Sequence, residues 1–574
     1  MDRNMRQRLV MAGIGGLAGL SLYLLLEVLS RHLLPDRAAL GLTTFSAVFF
    51  AAWLAMAGPL RTGRAVVAAL GLGLVVAALL SLTGLRFDRV EAIFDQPMTP
   101  LAVVLLSSIP LPFFIALAGP GWRDYPTLFT EAWTVVVRYA AAWLFVGVAW
   151  AVLLLSQALL SIVDIRVIEA IIDLDAAPWL ITGVTLGLAL AVVTELSDLV
   201  SPYLILRLLR LLLPLVLGVM ALFIAALPFQ GLSGLFGDLS VAATLLAMAA
   251  AAATLVTTAI DQTDAEAVEG AVMVRAAQGL ALILPIPAAL AGYAVWLRVA
   301  QYGWTPERLF AGLAAVLALA YGLIYALAVL RGACWMERVR QGNILMALAL
   351  LALSALWLTP LLNAERISAR DQLARFEDGR TALPELDLYA LGRWGKPGAE
   401  ALAQLQARAG EPGQEALAER LAGTPSAGQP QLTPAETEAA LAALMPVRPA
   451  GDTALRDSLL AGLSDDERGY WLERCRNRLA DGRPGCVMLT GDFWPETAGA
   501  EAIVLLRDGA EHISTEGLAM VDGLLQRRAV STLTGLYPQL SGTVIADLLD
   551  AAPAPAPVPL NGLRLGGEML FLAP

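Results

Sequence analysis

Long apolar runs constrain this chain more than any other feature. A helix crosses the hydrocarbon core of a bilayer with roughly 20 apolar residues. Eleven stretches are close to or beyond that length: residues 8–26, 38–57, 65–83, 101–118, 134–163, 178–198, 203–227, 239–260, 271–300, 309–331 and 343–362. The composition agrees, because 58% hydrophobic and 16% charged residues over 574 positions is too apolar for a water-soluble protein of this size. The expected fold is an all-α polytopic membrane bundle of about eleven transmembrane helices in residues 1–362, with the lipid bilayer as its first partner. The run from Leu9 to Leu26 follows MDRNMRQR and has no small-residue cleavage site after it, so it reads as a retained first helix and not a secretory signal.

Arginine placement orients the bundle, since short loops rich in positive charge stay cytoplasmic. With the N-terminus inside, thirteen Arg fall at cytoplasmic ends and loops and seven on the opposite side. An odd number of crossings then delivers residues 363–574 to the far side. Residues 1–362 carry 20 Arg against 21 acids, and residues 363–574 carry 19 basic against 29 acidic residues, so nearly all of the net charge of −11 lies in the C-terminal part. That balance argues against a nucleic-acid partner. Three Cys and two His, His32 and His512, leave too few ligands for a His/Cys zinc cluster, and no metal or cofactor is expected.

Ionisable groups near membrane depth are the first candidates for a site. Glu195 and Asp198 close the sixth run and Arg207 and Arg210 open the seventh, each pair three apart on one helical face. Acids at a helix C-terminus and bases at an N-terminus oppose the macrodipole, so the four are expected to pair across the hairpin at Ser201-Pro202. The pairing reads either as a static staple or as a relay. Pro285 and Pro287 predict a break in the ninth helix, which carries Arg275 in its first turns, and a broken helix is where transporters often place substrate. The connection before it, DQTDAEAVEG, reads as a solvated acidic loop in which Arg275 answers one acid. Asp164–Asp175, DIRVIEAIIDLD, reads as an interfacial amphipathic helix or as an acidic cap on a hairpin.

Between the ninth and tenth runs lies YAVWLRVAQYGWTPERLF, residues 293–310. Gly303 lets the chain turn, Thr305 is placed to N-cap a helix with Pro306 at its first position, and Tyr302 and Trp304 suit an interface. Arg298 and Arg308 flank the turn, so the segment is either an anchored interhelical turn or a lip for an anionic headgroup. Arg298, Tyr302-Gly303-Trp304-Thr305-Pro306 and Arg308, with Leu362-Asn363, Ile367-Ser368 and RDQLARFEDG at 370–379 after the last run, resemble the signature of a bacterial membrane family known as domain of unknown function 4153. The resemblance implies a multi-spanning envelope protein and supplies no reaction.

The remainder divides by period. Residues 363–450 read as a soluble helical region in which PGAEALA (397–403) recurs as PGQEALA (412–418), followed by a linker-like stretch at 423–431 and a helix from Thr433-Pro434. Residues 451–574 read as a small α+β region, with helices over 452–463 and 465–479, strands at 486–491, 501–507 and 568–574, and a proline spacer, PAPAPVP, at 553–559. Cys475 and Cys486 are spaced for a disulfide in an oxidising compartment, whereas Cys334 has no mate. His512 with Ser514, and Asp492 with Glu496, lack a nucleophile elbow or ligand spacing and read as surface groups. Together these features favour a non-catalytic inner-membrane scaffold or sensing protein whose periplasmic module contacts an envelope protein through residues 363–574. The alternative is a secondary transporter or a lipid- or anion-handling membrane protein.

Overall fold

A computed structural model describes residues 3–29, 34–95, 98–163, 165–195, 202–230, 241–422, 434–479, 481–493, 500–507, 513–521, 524–528, 530, 532, 540, 543–551, 562–565 and 568–571. Two compact units partition the chain, Met1–Ala427 and Gly428–Pro574.

In the first unit the described residues form eleven helical segments long and apolar enough to cross a membrane. They are α1 (Arg3–Tyr23, continuing as a π turn to Leu29), α2 (Asp36–Met56), α3 (Thr62–Gly84), α4 and α5 (Met98–Ser108, Pro110–Leu117), α6 (Tyr125–Ser161), α8 (Ala177–Glu195), α9 and α10 (Pro202–Leu211, Leu213–Gln230), α11 (Val241–Ile260), α12 and α13 (Ala271–Ile283, Pro285–Tyr302), α14 (Pro306–Leu330) and α15 (Trp335–Leu358). Of the amphipathic segment at 164–175, Val167–Ile172 is helical (α7) and Asp164 lies outside the described residues. The outer faces carry Val67, Leu74, Leu144, Leu155 and Leu222 more than half exposed, an apolar surface that a bilayer solvates and water does not.

Proline sets the interruptions. Pro110 and Pro285 each restart a helix within a single crossing, because the ring removes one donor and clashes with the preceding turn. At the second break α14 supplies Gly322, where a Cβ would lie 2.8 Å from the Pro285 nitrogen, so the kink is packed against a neighbouring backbone. Small residues also seat α1 along α8. A Cβ on Gly15, Gly19, Gly183 or Gly187 would stand 2.0–2.1 Å from a carbonyl oxygen of the facing helix. Two glycines four apart on each helix let the backbones touch.

The buried interior falls into clusters. One is built by α2, α3, α4 and α5, one by α1, α2, α6 and α8, and one by α9 to α12, α14 and α15. Helix α15 bridges them, contributing Trp335 and Val339 to the third and Trp357 and Leu358 to the first. Beyond the last crossing, α16 (Ala364–Glu377), α17 (Leu388–Arg393), α18 (Gly395–Ala409) and α19 (Glu415–Ala422) form a helical cap with its own small core around Leu391, Trp394 and Leu405. The cap belongs to the first unit.

The second unit is a five-stranded mixed sheet with helices. In order, its elements are α20 (Pro434–Leu444), β1 (Val447–Arg448), α21 (Thr453–Ala461), α22 (Asp465–Arg476), β2 (Cys486–Gly491), β3 (Ala500–Arg507), β4 (Ile513–Val521), β5 (Leu524–Arg528) and α23 (Val544–Asp550). The sheet runs β1-β2-β3-β4-β5, parallel at its first pair and antiparallel thereafter. A separate hairpin joins β6 (Gly562–Leu565) to β7 (Glu568–Phe571). CVMLTG is almost uninterrupted in apolar character because both faces of β2 are buried. Cys486 and Met488 face α20 to α22, and Val487 faces α23. The proline spacer at 553–559, His32, His512 and Glu496 lie outside the described residues.

Candidate functional site

The interfacial motif and the segment after the last crossing are two halves of one arrangement. Gly303 has φ of 75°, and a Cβ there would sit within 2.7 Å of Asp371, Gln372 and Arg375 side-chain atoms, so only glycine fits the turn. Helix α16 grips that turn from above. The Asp371 carboxylate accepts from the Trp304 amide at 2.7 Å, and the Gln372 amide donates to the Tyr302 and Trp304 carbonyls at 2.8 and 3.1 Å. Arg375, buried, donates to the carbonyls of Ala300 and Gln301 at 3.1 and 2.8 Å. Thr305 caps α14 by accepting from the Arg308 amide, and Arg308 turns back to the Tyr302 and Gly303 carbonyls at 3.2 and 2.8 Å. Tyr302 lies within cation–π range of both Arg298 and Arg308, at 5.8 and 5.6 Å.

Chemically, this is a device for ending a helix. The last carbonyls of α13 have no partner within the helix, and a guanidinium with several donors satisfies them in a fixed geometry. Arg308 is consumed in that role, while Arg298 remains exposed beside Tyr302. A second such joint lies below the cap. Arg86, buried, donates to the carbonyls of Trp357 and Thr359 at the end of α15 and pairs with buried Glu365 of α16 at 3.3 Å. Burial draws the Arg86 guanidinium down from its ordinary value, and Glu365 opposes the shift. Lys396 of the cap donates to the Leu85 carbonyl, so the α3 terminus is held from both sides.

The intramembrane charges pair differently from the sequence expectation. Glu195 bonds Arg8 of α1, in a bidentate contact of 2.5–3.1 Å, and not Arg207 or Arg210. The cause is the glycine-lined contact, which brings α1 against α8 at that end. Asp198 lies outside the described residues, and Arg207 and Arg275, both exposed, make no hydrogen bond or ion pair to another described residue. Arg210 instead reaches the supposedly solvated acidic connection. It pairs with Asp261, which is buried, and donates to the Thr258 and Glu266 carbonyls at 2.8 and 2.9 Å. Arg340 completes that end, bonding the Ile260 and Asp261 carbonyls at 2.6 and 3.2 Å and Asp264 at 2.7 Å. Two of the loop's four acids, Asp261 and Asp264, are thus the counter-charges of two arginines that hold the end of α11, and Arg275 takes no part among the described residues.

A cavity of about 770 Å³ lies between the α4–α6 wall and the α11, α14 and α15 wall. Its polar end is a chain of hydrogen bonds in which Asn343 donates to the Tyr125 phenol at 3.0 Å and accepts from Tyr325 at 2.5 Å, and Thr257 meets Tyr325 at 2.7 Å. Nothing in the residue pattern announced this cavity, because its walls come from six helices far apart in the chain.

In the second unit Cys475 and Cys486 are joined by a disulfide with Cα atoms 4.8 Å apart, and both are wholly buried. The bridge ties α22 to β2. Cys334 is free and exposed. Ser514 donates to a strand carbonyl, and its neighbour His512 lies outside the described residues.

The chain matches no curated protein and no solved structure. Residues 38–405, more than half of the chain, match the family described as Domain of unknown function (DUF4153), a span that starts at the second crossing and ends in α18 of the cap. The chain, a membrane protein with eleven candidate crossings, therefore belongs to the DUF4153 family.

Proposed function

We propose that this protein is a non-catalytic scaffold or sensing protein of the bacterial inner membrane. Its N-terminus is cytoplasmic, and the chain beyond residue 362 lies in the periplasm, where it contacts another envelope component. The observation that carries the reading is the Cys475–Cys486 bridge inside the second unit's core. Structural disulfides belong to oxidising compartments, and an odd number of crossings leads there from a cytoplasmic start. The ends of α3, α13 and α15 and the start of α14 all meet the cap or its joints, as alternate crossings require. The spending of arginines on helix ends supports a scaffold over a relay.

A transporter reading draws on the broken crossing at Pro285. The close packing of Gly322 against that break and the apolar walls of the cavity at Leu284 favour it less. The test is thiol labelling of intact spheroplasts with an impermeant maleimide, using native Cys334 and an S458C substitution on an exposed position of α21. S458C is expected to label before lysis and Cys334 only after it. The reverse order would remove the periplasmic assignment. Crosslinking from the same S458C position in native membranes then identifies the partner.

A further inference from the structure

We propose that the cavity between the two walls is a binding site for one neutral long-chain lipid, its uncharged hydroxyl or ester head at the Tyr125–Asn343 end and its chain running toward Trp357. The cavity reaches from Asn343 to Trp357 along α15, about 21 Å of helix rise. That exceeds one leaflet of a hydrocarbon core about 30 Å thick. At about 30 Å³ per heavy-atom-sized group, the 770 Å³ corresponds to roughly 25 such groups, the size of one long chain with a small head. Leu101, Val136, Ala250 and Thr254 on its rim are exposed, so the space is a cleft with a lateral mouth between α6 and α11, where the bilayer presents its chains.

The polar end selects the head. Tyr325 donates its single proton to Asn343, so the Thr257 hydroxyl donates to Tyr325, and Asn343 donates to Tyr125. The Tyr125 proton and the second Asn343 amide hydrogen then have no acceptor among the described residues, and both belong to the cavity lining. Two donors with no acceptor in a low-dielectric site call for a carbonyl or hydroxyl oxygen. Among the described residues no Asp, Glu, Lys or Arg lines the cavity, and Arg340, nearest in sequence, is already bonded to two carbonyls and Asp264. A charged head would be desolvated there without a counter-charge, so a neutral one is preferred. The proposal is independent of which side the second unit faces.

The experiment reconstitutes the full chain in phosphatidylcholine vesicles carrying either a monoacylglycerol or a lysophosphatidylcholine with a diazirine midway along its chain. After illumination the labelled peptides are mapped by mass spectrometry. The monoacylglycerol is expected to label the cavity segments of α6, α11 and α15 several-fold more than the lysophosphatidylcholine. Ala347→Trp or Ala132→Trp, which fill the cleft from opposite walls, are each expected to cut that labelling about tenfold in protein that keeps its thermal midpoint. Asn343→Leu is expected to remove the preference between the two lipids. Equal labelling by both lipids, or labelling spread over outer faces such as Leu144 and Leu155 and unchanged by whichever Trp variant stays folded, would overturn the proposal.

Discussion

Arginine does different work at the covered helix ends of the first unit and on the open surface of the second. In the first, Arg86, Arg210, Arg308, Arg340 and Arg375 all donate to backbone carbonyls at or just beyond helix ends, and three of them are buried. In the second, Arg483 pairs with Asp481 and Asp550, and Arg527 with Glu467 and Glu516, with their side chains 34% and 49% exposed. The difference follows from solvent. A helix end at a membrane interface, covered by a cap or a neighbouring helix, has carbonyls that water cannot reach, and an orphaned carbonyl there is costly. A surface pair competes with water on both partners and contributes little. Arg468 of the second unit, only 12% exposed, is again a joint, donating to the Leu460 and Ala461 carbonyls at the end of α21, so solvent access and not the unit decides whether an arginine seals a helix end or pairs at the surface.

The largest effect is expected at Arg86. Arg86→Met leaves Glu365 buried without its partner and the end of α15 unsatisfied, and losing one member of a buried pair typically costs about 3–5 kcal/mol. The full chain in detergent should show a much lower thermal midpoint or fail to purify as a single species. The double change Arg86→Met with Glu365→Leu should recover a large part of the loss, which a merely local packing defect would not do. Next in size is the disulfide. Replacing Cys475 and Cys486 by Ser opens a loop with a sequence separation of 11, expected to cost about 3 kcal/mol by chain entropy. Hydrogen exchange should rise in α22 and β2 while the membrane helices keep their protection.

Arg138 sharpens the comparison from the other direction. It is buried within α6, and its Nε and Nη2 find no hydrogen-bond partner among the described residues. If arginines earn their place in this unit through carbonyls, one without such bonds is expected to be dispensable. Arg138→Met should leave the thermal midpoint unchanged or raise it. A loss as large as that of Arg86→Met would mean that burial alone, and not the bonding, makes these arginines necessary.

What the residues reveal in advance follows how local each feature is. Crossings depend on run length and hydropathy, and the break at Pro285 on a missing donor, so all are legible position by position. The Tyr302-Gly303-Trp304 turn and RDQLARFEDG are recognisable separately, but their mutual grip spans about seventy residues of chain and needs the fold. The partner of Glu195 is 187 residues away, whereas the local charge pattern points to the adjacent hairpin. The missing signal was present as glycines four apart, Gly15 with Gly19 and Gly183 with Gly187, which mark helices that touch. The cavity had no such signal. Strands β4 and β5 are obscured by Glu516, Gln526, Arg527 and Arg528, polar residues that fall on both faces of this side of the sheet and interrupt the apolar alternation.

The smallest effect is expected at the second unit's surface, and it carries a pH sign. Glu467 closes a capping box at the start of α22, accepting from the Ser464 amide at 2.9 Å, and also pairs with Arg527. The Ser464 amide first, and the Arg527 charge after it, hold the Glu467 carboxyl below its ordinary value. A carboxylate depressed in the folded state stabilises it above its unfolded value, and the contribution is lost as pH falls through the folded one. Protection of α22 amides, corrected for intrinsic exchange, should therefore be flat from neutral pH to about 5 and weaken below about 4. Glu467→Gln should remove most of that acid dependence. Arg527→Ala, which leaves the cap bond intact, should lower protection by less than about 1 kcal/mol and keep the pH dependence. An Arg527→Ala loss equal to that of Arg86→Met would erase the distinction between the two settings, because a water-exposed guanidinium would then matter as much as one that seals a helix end.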